Sequence, residues 1–184
     1  MADTVDSPIS FRVNIRTLPR KGMPVSIVAD EDQKAALAAI HDLQAVRDFR
    51  ATLIVSTWRG DGVKVSGSVS ADIVQTCVVT LKPLDARVEE PVEALFVPEN
   101  SRLARPDVSA EGEILLDPEG QDAPETFWGD TIDVGALAEQ YFALGLDPYP
   151  RSGDAPVSRL DEGSSGSQEE ESPFAKLLSL KHKS

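Results

Sequence analysis

Hydrophobic and polar residues alternate with a period of two along three long stretches in the middle of the chain. In DFRATLIVSTWRG (48–60), Phe49, Ala51, Leu53 and Val55 share one face. In VKVSGSVSADIVQ (63–75), Val63, Val65, Val69, Ala71 and Ile73 share one face, with Lys64, Ser66, Ser68 and Ser70 opposite. LDARVEEPVEALFV (84–97) alternates through Leu84, Ala86, Val88, Val92, Ala94 and Phe96. Successive strand side chains point to opposite faces, so each stretch predicts a half-buried strand. RGDG (59–62) joins the first two as a hairpin with an Asp-Gly turn. Pro91 cannot donate a ladder hydrogen bond, which requires an edge position or a bulge in the third strand.

Shorter patterns flank this centre. SFRVNIR (10–16) sets Phe11, Val13 and Ile15 against Arg12, Asn14 and Arg16, a strand with a basic outer face. LPRKG (18–22) reads as a turn and PVSIVA (24–29) as a second short strand. DEDQKAALAAIHDL (30–43) opens on acids that suit a helix N-terminus, and Ala36, Leu37, Ile40 and Leu43 supply its apolar stripe. A second helix is expected within DTIDVGALAEQYFALGLDPYP (130–150). Val134, Leu137, Ala138 and Tyr141 form its face, Phe142 and Leu144 widen it, Asp130 caps it, and Gly145 and Pro148 end it. The intervening 98–131 is acidic and rich in Pro and Gly, a long loop with at most one short strand at EGEILLD (111–117).

Together these patterns predict an α+β fold: a mainly antiparallel β-sheet, open or barrel-like, with two flanking helices, in a single domain over 9–150. Residues 1–8 are polar and expected to be disordered. The Ser-, Gly- and acid-rich 151–171 is expected to be a disordered linker. Beyond it, SPFAKLLSLKHKS (172–184) reads as a C-terminal helical segment with Ser172 as cap and Pro173 in the first turn. Phe174, Leu177, Leu178 and Lys181 make it a candidate tail for docking on a partner or on the domain.

Charge divides the chain unequally. The net charge is −13 over 184 residues, yet residues 84–139 alone hold 15 acids against three bases. Phosphate backbones are bound chiefly through Lys and Arg, so nucleic acid could meet only the first half or the tail. The acidic half suits a basic protein partner, or merely keeps the protein soluble. Candidates for RNA or partner contact are Arg12, Arg16, Arg20 and Lys21, then Arg47, Arg50, Arg59 and Lys64 near the hairpin. An ordinary solvated outer sheet face is the simpler reading of the same residues. Trp58, beside Arg59, could stack on a base or cover a core edge.

Catalytic patterns are missing. His41 and His182 are too far apart in sequence to form a recognisable pair, and no phosphate loop, dinucleotide fingerprint or nucleophile elbow occurs. An enzyme, a cofactor and a small-molecule substrate are therefore not expected. Cys77 is the only cysteine, in QTCVVTLKPL (75–84), and Thr80 stands where a Cys-x-x-Cys pair would close. A structural zinc site needs four Cys or His ligands, so Cys77 is expected to be a small buried residue filling an apolar space. The lone cysteine fits a reducing cytoplasm, the first residues lack a secretory signal, and no apolar run is long enough to span a membrane.

Three stretches resemble the YceD family, the large-ribosomal-RNA-subunit accumulation proteins. VSGSVSADIVQTCVVTLKPLDARVEEPVEALFVP (65–98) is similar to the family's central strand, Cys-containing turn and acidic strand. DTIDVGALAEQYFALGLDPYP resembles its Asp-hydrophobic-Asp helix, and SPFAKLLSLK (172–181) its Pro-Phe-x-x-Leu ending. The N-terminal strand and basic turn fit more loosely. The resemblance implies a non-enzymatic role in making or stabilising 23S rRNA, with large-subunit rRNA or ribosomal proteins as partners. The family pattern often adds a second cysteine at the turn and more after the helix. Here Thr80 and DPYPRSGD (147–154) supply none, so metal binding is not carried over. The alternative function is an acidic adaptor that grips a basic protein without touching RNA.

Overall fold

The computed structural model describes residues 7–104 and 124–152, all within one compact unit. Its frame is a five-stranded sheet in the order β2-β3-β4-β5-β6. The strands are β2 (Met23–Val28), β3 (Ala45–Trp58), β4 (Gly62–Thr76), β5 (Pro83–Pro98) and β6 (Glu125–Phe127). Neighbours pair antiparallel from β2 to β5, and β6 joins β5 in parallel. A separate two-stranded ladder joins β1 (Arg12–Asn14) to β7 (Thr131–Asp133). The sheet ends on β2 and β6 and stays open, so of the two forms compatible with the sequence the barrel-like one is not adopted. Among the described residues no helix is long and apolar enough to cross a membrane.

The three long strands run as the alternation requires. Phe49, Ala51, Leu53, Val55, Val63, Val65, Val69, Ala71, Ile73, Val88, Val92, Ala94 and Phe96 are all buried. Each Val, Leu, Ile or Phe side chain among them contributes on the order of 1.5–3 kcal/mol on removal from water, so this face dominates the fold. The helices α1 (Glu31–Ile40) and α2 (Val134–Leu144) complete the core with Leu37, Val134, Leu137, Ala138 and Phe142. Phe142 meets Phe49 edge-on with ring centres 5.5 Å apart, tying α2 to β3. Pro91 opposes Ser68 without a bulge, and β6 reaches only Phe96–Pro98, so Pro91 lies on the part of β5 with no outer strand among the described residues. The hydroxyl of Tyr141 donates to the Glu93 carbonyl from that side. Backbone groups two residues apart face the same way, so the missing N–H of Pro91 points to the same free edge.

Several local details differ from the sequence reading. Only Arg12–Asn14 of 10–16 is strand; Ile15–Thr17 turns into a 3-10 helix, leaving Phe11 exposed while Val13 is buried. The positive backbone angles of the hairpin belong to Arg59 and Gly60, and Gly62 is already the first residue of β4, so the turn is Arg-Gly rather than Asp-Gly. Asp133, not Asp130, caps α2. Ile40 and Leu144 sit at helix ends that overrun the sheet and are exposed. The short strand β6 falls inside the stretch read as a loop, and β7 takes the opening residues of the stretch read for the second helix. Residues 1–6, EGEILLD (111–117), the linker from 153 onward and the C-terminal segment with Phe174, Leu177, Leu178 and Lys181 lie outside the described residues.

Candidate RNA-contact surface

Three of the eight anticipated cations, Arg47, Arg50 and Lys64, sit on the outer face of the sheet. Strand register places Asp72 opposite Arg87, and a bulge between Val46 and Asp48 shifts the end of β3 against β4. The consequence is mutual pairing. Arg50 Nε meets Asp48 at 2.7 Å, Lys64 Nζ meets Glu93 at 2.6 Å, and Arg47 meets Asp85 at 2.8 Å. Arg87 bridges Asp72 and Glu89. A shallow hollow lined by Arg47, Asp72, Ile73, Asp85, Ala86 and Arg87 contains no charged group outside these pairs. Exposed pairs of this kind add at most about 1 kcal/mol each to stability, but they cancel the local field that a polyanion would feel. Away from that face, Arg16 is held by Asp130 at 2.7 Å.

The remaining candidates separate into different environments. Arg59 lies over the Trp58 ring with its guanidinium carbon 4.8 Å from the ring centre. Arg12 is exposed and engaged with another group. Arg20 and Lys21 are exposed in the turn before β2 and have no acidic partner among the described residues. Gly22, next in the chain, is tucked beside Ile54 and Ser56, so this turn adjoins the last residues of β3. The structure thus brings Arg20, Lys21, Trp58 and Arg59 to one end of the sheet and leaves Arg47, Arg50 and Lys64 paired along its outer face. Arg102 and Trp128, missed in the sequence, belong to the same end. Trp128 stands in an acidic, weakly periodic stretch, and only the pairing of β6 with β5 reveals its position.

The opposite end carries the Cys77 turn. The backbone closes through Cys77 N–H to Lys82 O and Leu81 N–H to Cys77 O, both 2.9 Å, and Val78 N–H reaches Pro150 O at 2.9 Å. Cys77 is 1% exposed. The residue is buried as expected, and the turn also brings polar groups towards its sulfur. The Thr80 hydroxyl, then the backbone N–H groups of Ser152, Thr80 and Val79, hold the thiol pKa down from 9.0 to about 6 against the upward push of burial. Among the described residues no three His, Cys, Asp or Glu side chains converge to hold a metal ion. Between about pH 6 and 9 the native thiolate binds fewer protons than the unfolded thiol, so stability should rise with pH across that window. That gain is lost as pH falls through about 6, and Cys77→Ser should abolish the slope. Thiolate ultraviolet absorbance of the folded protein should titrate near 6; a midpoint at the free-thiol value of about 8.5 would sink this account.

The family model described as large ribosomal RNA subunit accumulation protein YceD matches residues 65–181. The chain belongs to the YceD family. The match begins in β4 and contains β5, the Cys77 turn and α2. It leaves β1, β2, α1 and β3 outside, and with them all eight cations anticipated from the sequence. The YceD name associates the family with the large ribosomal subunit or its RNA. No curated protein matches the chain, and no solved structure does either.

Proposed function

We propose that this YceD-family chain is a non-enzymatic factor, working in the cytoplasm, that supports the synthesis, processing or stability of 23S rRNA during large-subunit assembly. The observation that carries this reading is the family match across the central strands, the Cys77 turn and α2. Depletion should lower 23S relative to 16S rRNA, and the protein should co-sediment with large-subunit precursors. A clean deletion with normal ribosome profiles would refute the proposal.

One observation favours a second reading, an acidic adaptor that engages a basic ribosomal protein without touching RNA. Arg16, Arg47, Arg50 and Lys64 are each held by an acid, and residues 84–139 carry a large excess of carboxylates. Filter binding to 23S fragments across a salt series separates the two. Direct contact gives a steep loss of affinity with salt, because each neutralised phosphate releases a counterion.

A further inference from the structure

The two tryptophans of the chain, far apart in sequence, meet at one end of the sheet. Trp58 is the last residue of β3 and pairs with Gly62. Phe127, the last residue of β6, pairs with Pro98 at the end of β5, and Trp128 follows it directly. Strand direction puts the C-terminal ends of β3, β5 and β6 and the start of β2 together. Trp58 and Trp128 are therefore separated by three strand spacings, on the order of 14 Å. Trp128 is 77% exposed, and Trp58 is half-buried under the Arg59 guanidinium.

Cations without an acidic partner among the described residues lie at the same end. Arg20 and Lys21 flank the β3 side, and Arg102 follows β5 on the other. Of the acids here, Asp130 holds Arg16 and Asp61 accepts from the Ser101 hydroxyl at 3.2 Å, leaving Glu99 and Glu125. This end thus sets Arg20, Lys21, Arg59 and Arg102 beside the exposed ring of Trp128.

We infer that this end of the sheet is a stacking platform for single-stranded RNA, with Trp58 and Trp128 receiving bases and Arg20, Lys21, Arg59 and Arg102 receiving phosphates. Every base has a π-face, so such a platform tolerates sequence, and guanidinium groups add cation–π contact. Buried aromatic surface with little charge would suit a protein partner; an exposed ring near Arg and Lys that lack acidic partners among the described residues suits a polyanion that also stacks. The inference rests on the rRNA reading and adds the site and the strandedness of its ligand.

Because both tryptophans lie at the platform, intrinsic fluorescence of the full chain reports binding without a label. Titration with an unstructured single-stranded RNA of about 12 nucleotides, within the usual range for such grooves, should quench it. Trp128→Ala should weaken binding about fivefold or more, the lower range for one lost base stack, while leaving the thermal midpoint unchanged. Arg20→Ala with Lys21→Ala should reduce the slope of log affinity against log salt by about 0.7 for each lost phosphate contact. Unaltered affinity and slope in these variants, with RNA still bound, would overturn the platform and leave the rRNA role standing. Quenching by a basic ribosomal protein but not by RNA would overturn it in favour of the adaptor. Defective 23S accumulation on depletion, with no RNA binding at all, would likewise reject the platform alone.

Discussion

Replacing Gly67, itself exposed, by alanine is expected to destabilise the domain by about 3 kcal/mol, the upper range for a side chain forced against its neighbours. Gly67 occupies a place in the inward-facing row of β4, between Val65 and Val69, opposite Leu53 of β3 and Val92 of β5. Its φ is +156°, an extended conformation essentially reserved for glycine. A Cβ built there would lie 2.1 Å from the Thr52 carbonyl oxygen and 2.9 Å from the Leu53 Cα. Both are backbone atoms of a central strand, so relief requires moving β3, and Leu53 is fully buried. Urea unfolding at neutral pH measures the effect. A midpoint within error of wild type would mean that β3 and β4 can separate locally at no cost. Gly60, with a positive φ but open space around it, is the control: alanine there should cost about 1 kcal/mol, from backbone strain alone.

The same glycine shows what the sequence makes legible. VKVSGSVSADIVQ announces a strand because alternation survives the interruption, and all five of its core residues are buried. The reason glycine breaks the row is a backbone approach from β3, and no local pattern encodes that. The three long strands were readable because each buries one face along its whole length. The strands β6 and β7, three residues each, have no room for alternation and exist through their partners. The cap of α2 is a sharper case. Asp130 and Asp133 are both suitable by residue type, but pairing of Thr131–Asp133 with Arg12–Asn14 keeps that stretch extended, so the helix can start only after Asp133. Asp130 is then available to Arg16.

Candidate contact residues were legible as residue types and not as free charges. Whether Lys64 is available depends on Glu93 lying diagonally across β4–β5, and whether Arg47 is depends on Asp85 two strands away. These are consequences of register, which period-two patterns constrain in parity alone. The result divides the basic residues of the first half by function. Along the outer face Arg47 and Lys64 pair with acids of β5, and Arg50 with Asp48 of its own strand. Those at the hairpin end retain their charge. Charge-changing substitutions should therefore differ in kind: at Arg47 or Lys64 they expose an unpaired carboxylate, whereas at Arg20 or Lys21 they remove only local positive potential.

Asp133→Ala is expected to cost about 2–3 kcal/mol, more than the roughly 1 kcal/mol of an ordinary N-cap. Asp133 Oδ1 accepts from the backbone N–H groups of Gly135 and Ala136, each at 3.0 Å, which satisfies the start of α2. The same oxygen accepts from Phe11 N–H at 2.9 Å, and Oδ2 takes the Ser10 hydroxyl. One carboxylate thus fastens the N-terminal strand to the helix inside the family-matched stretch, and removing it loosens both. Burial pushes the carboxyl pKa up, but the donors Ser10, Ala136, Phe11 and Gly135 outweigh it and hold it below the usual value of 3.8. A depressed carboxylate stabilises the native state fully above its unfolded pKa, and this contribution disappears as pH falls through the lower folded value. Asp133→Asn keeps an acceptor for capping and has no proton to bind there. Its deficit in unfolding free energy should be largest near about pH 7 and shrink below about pH 3.9, where the unfolded carboxyl is protonated. A deficit constant with pH would assign the effect to shape and capping alone, and would remove the carboxylate charge from the account of how β1 is held to α2.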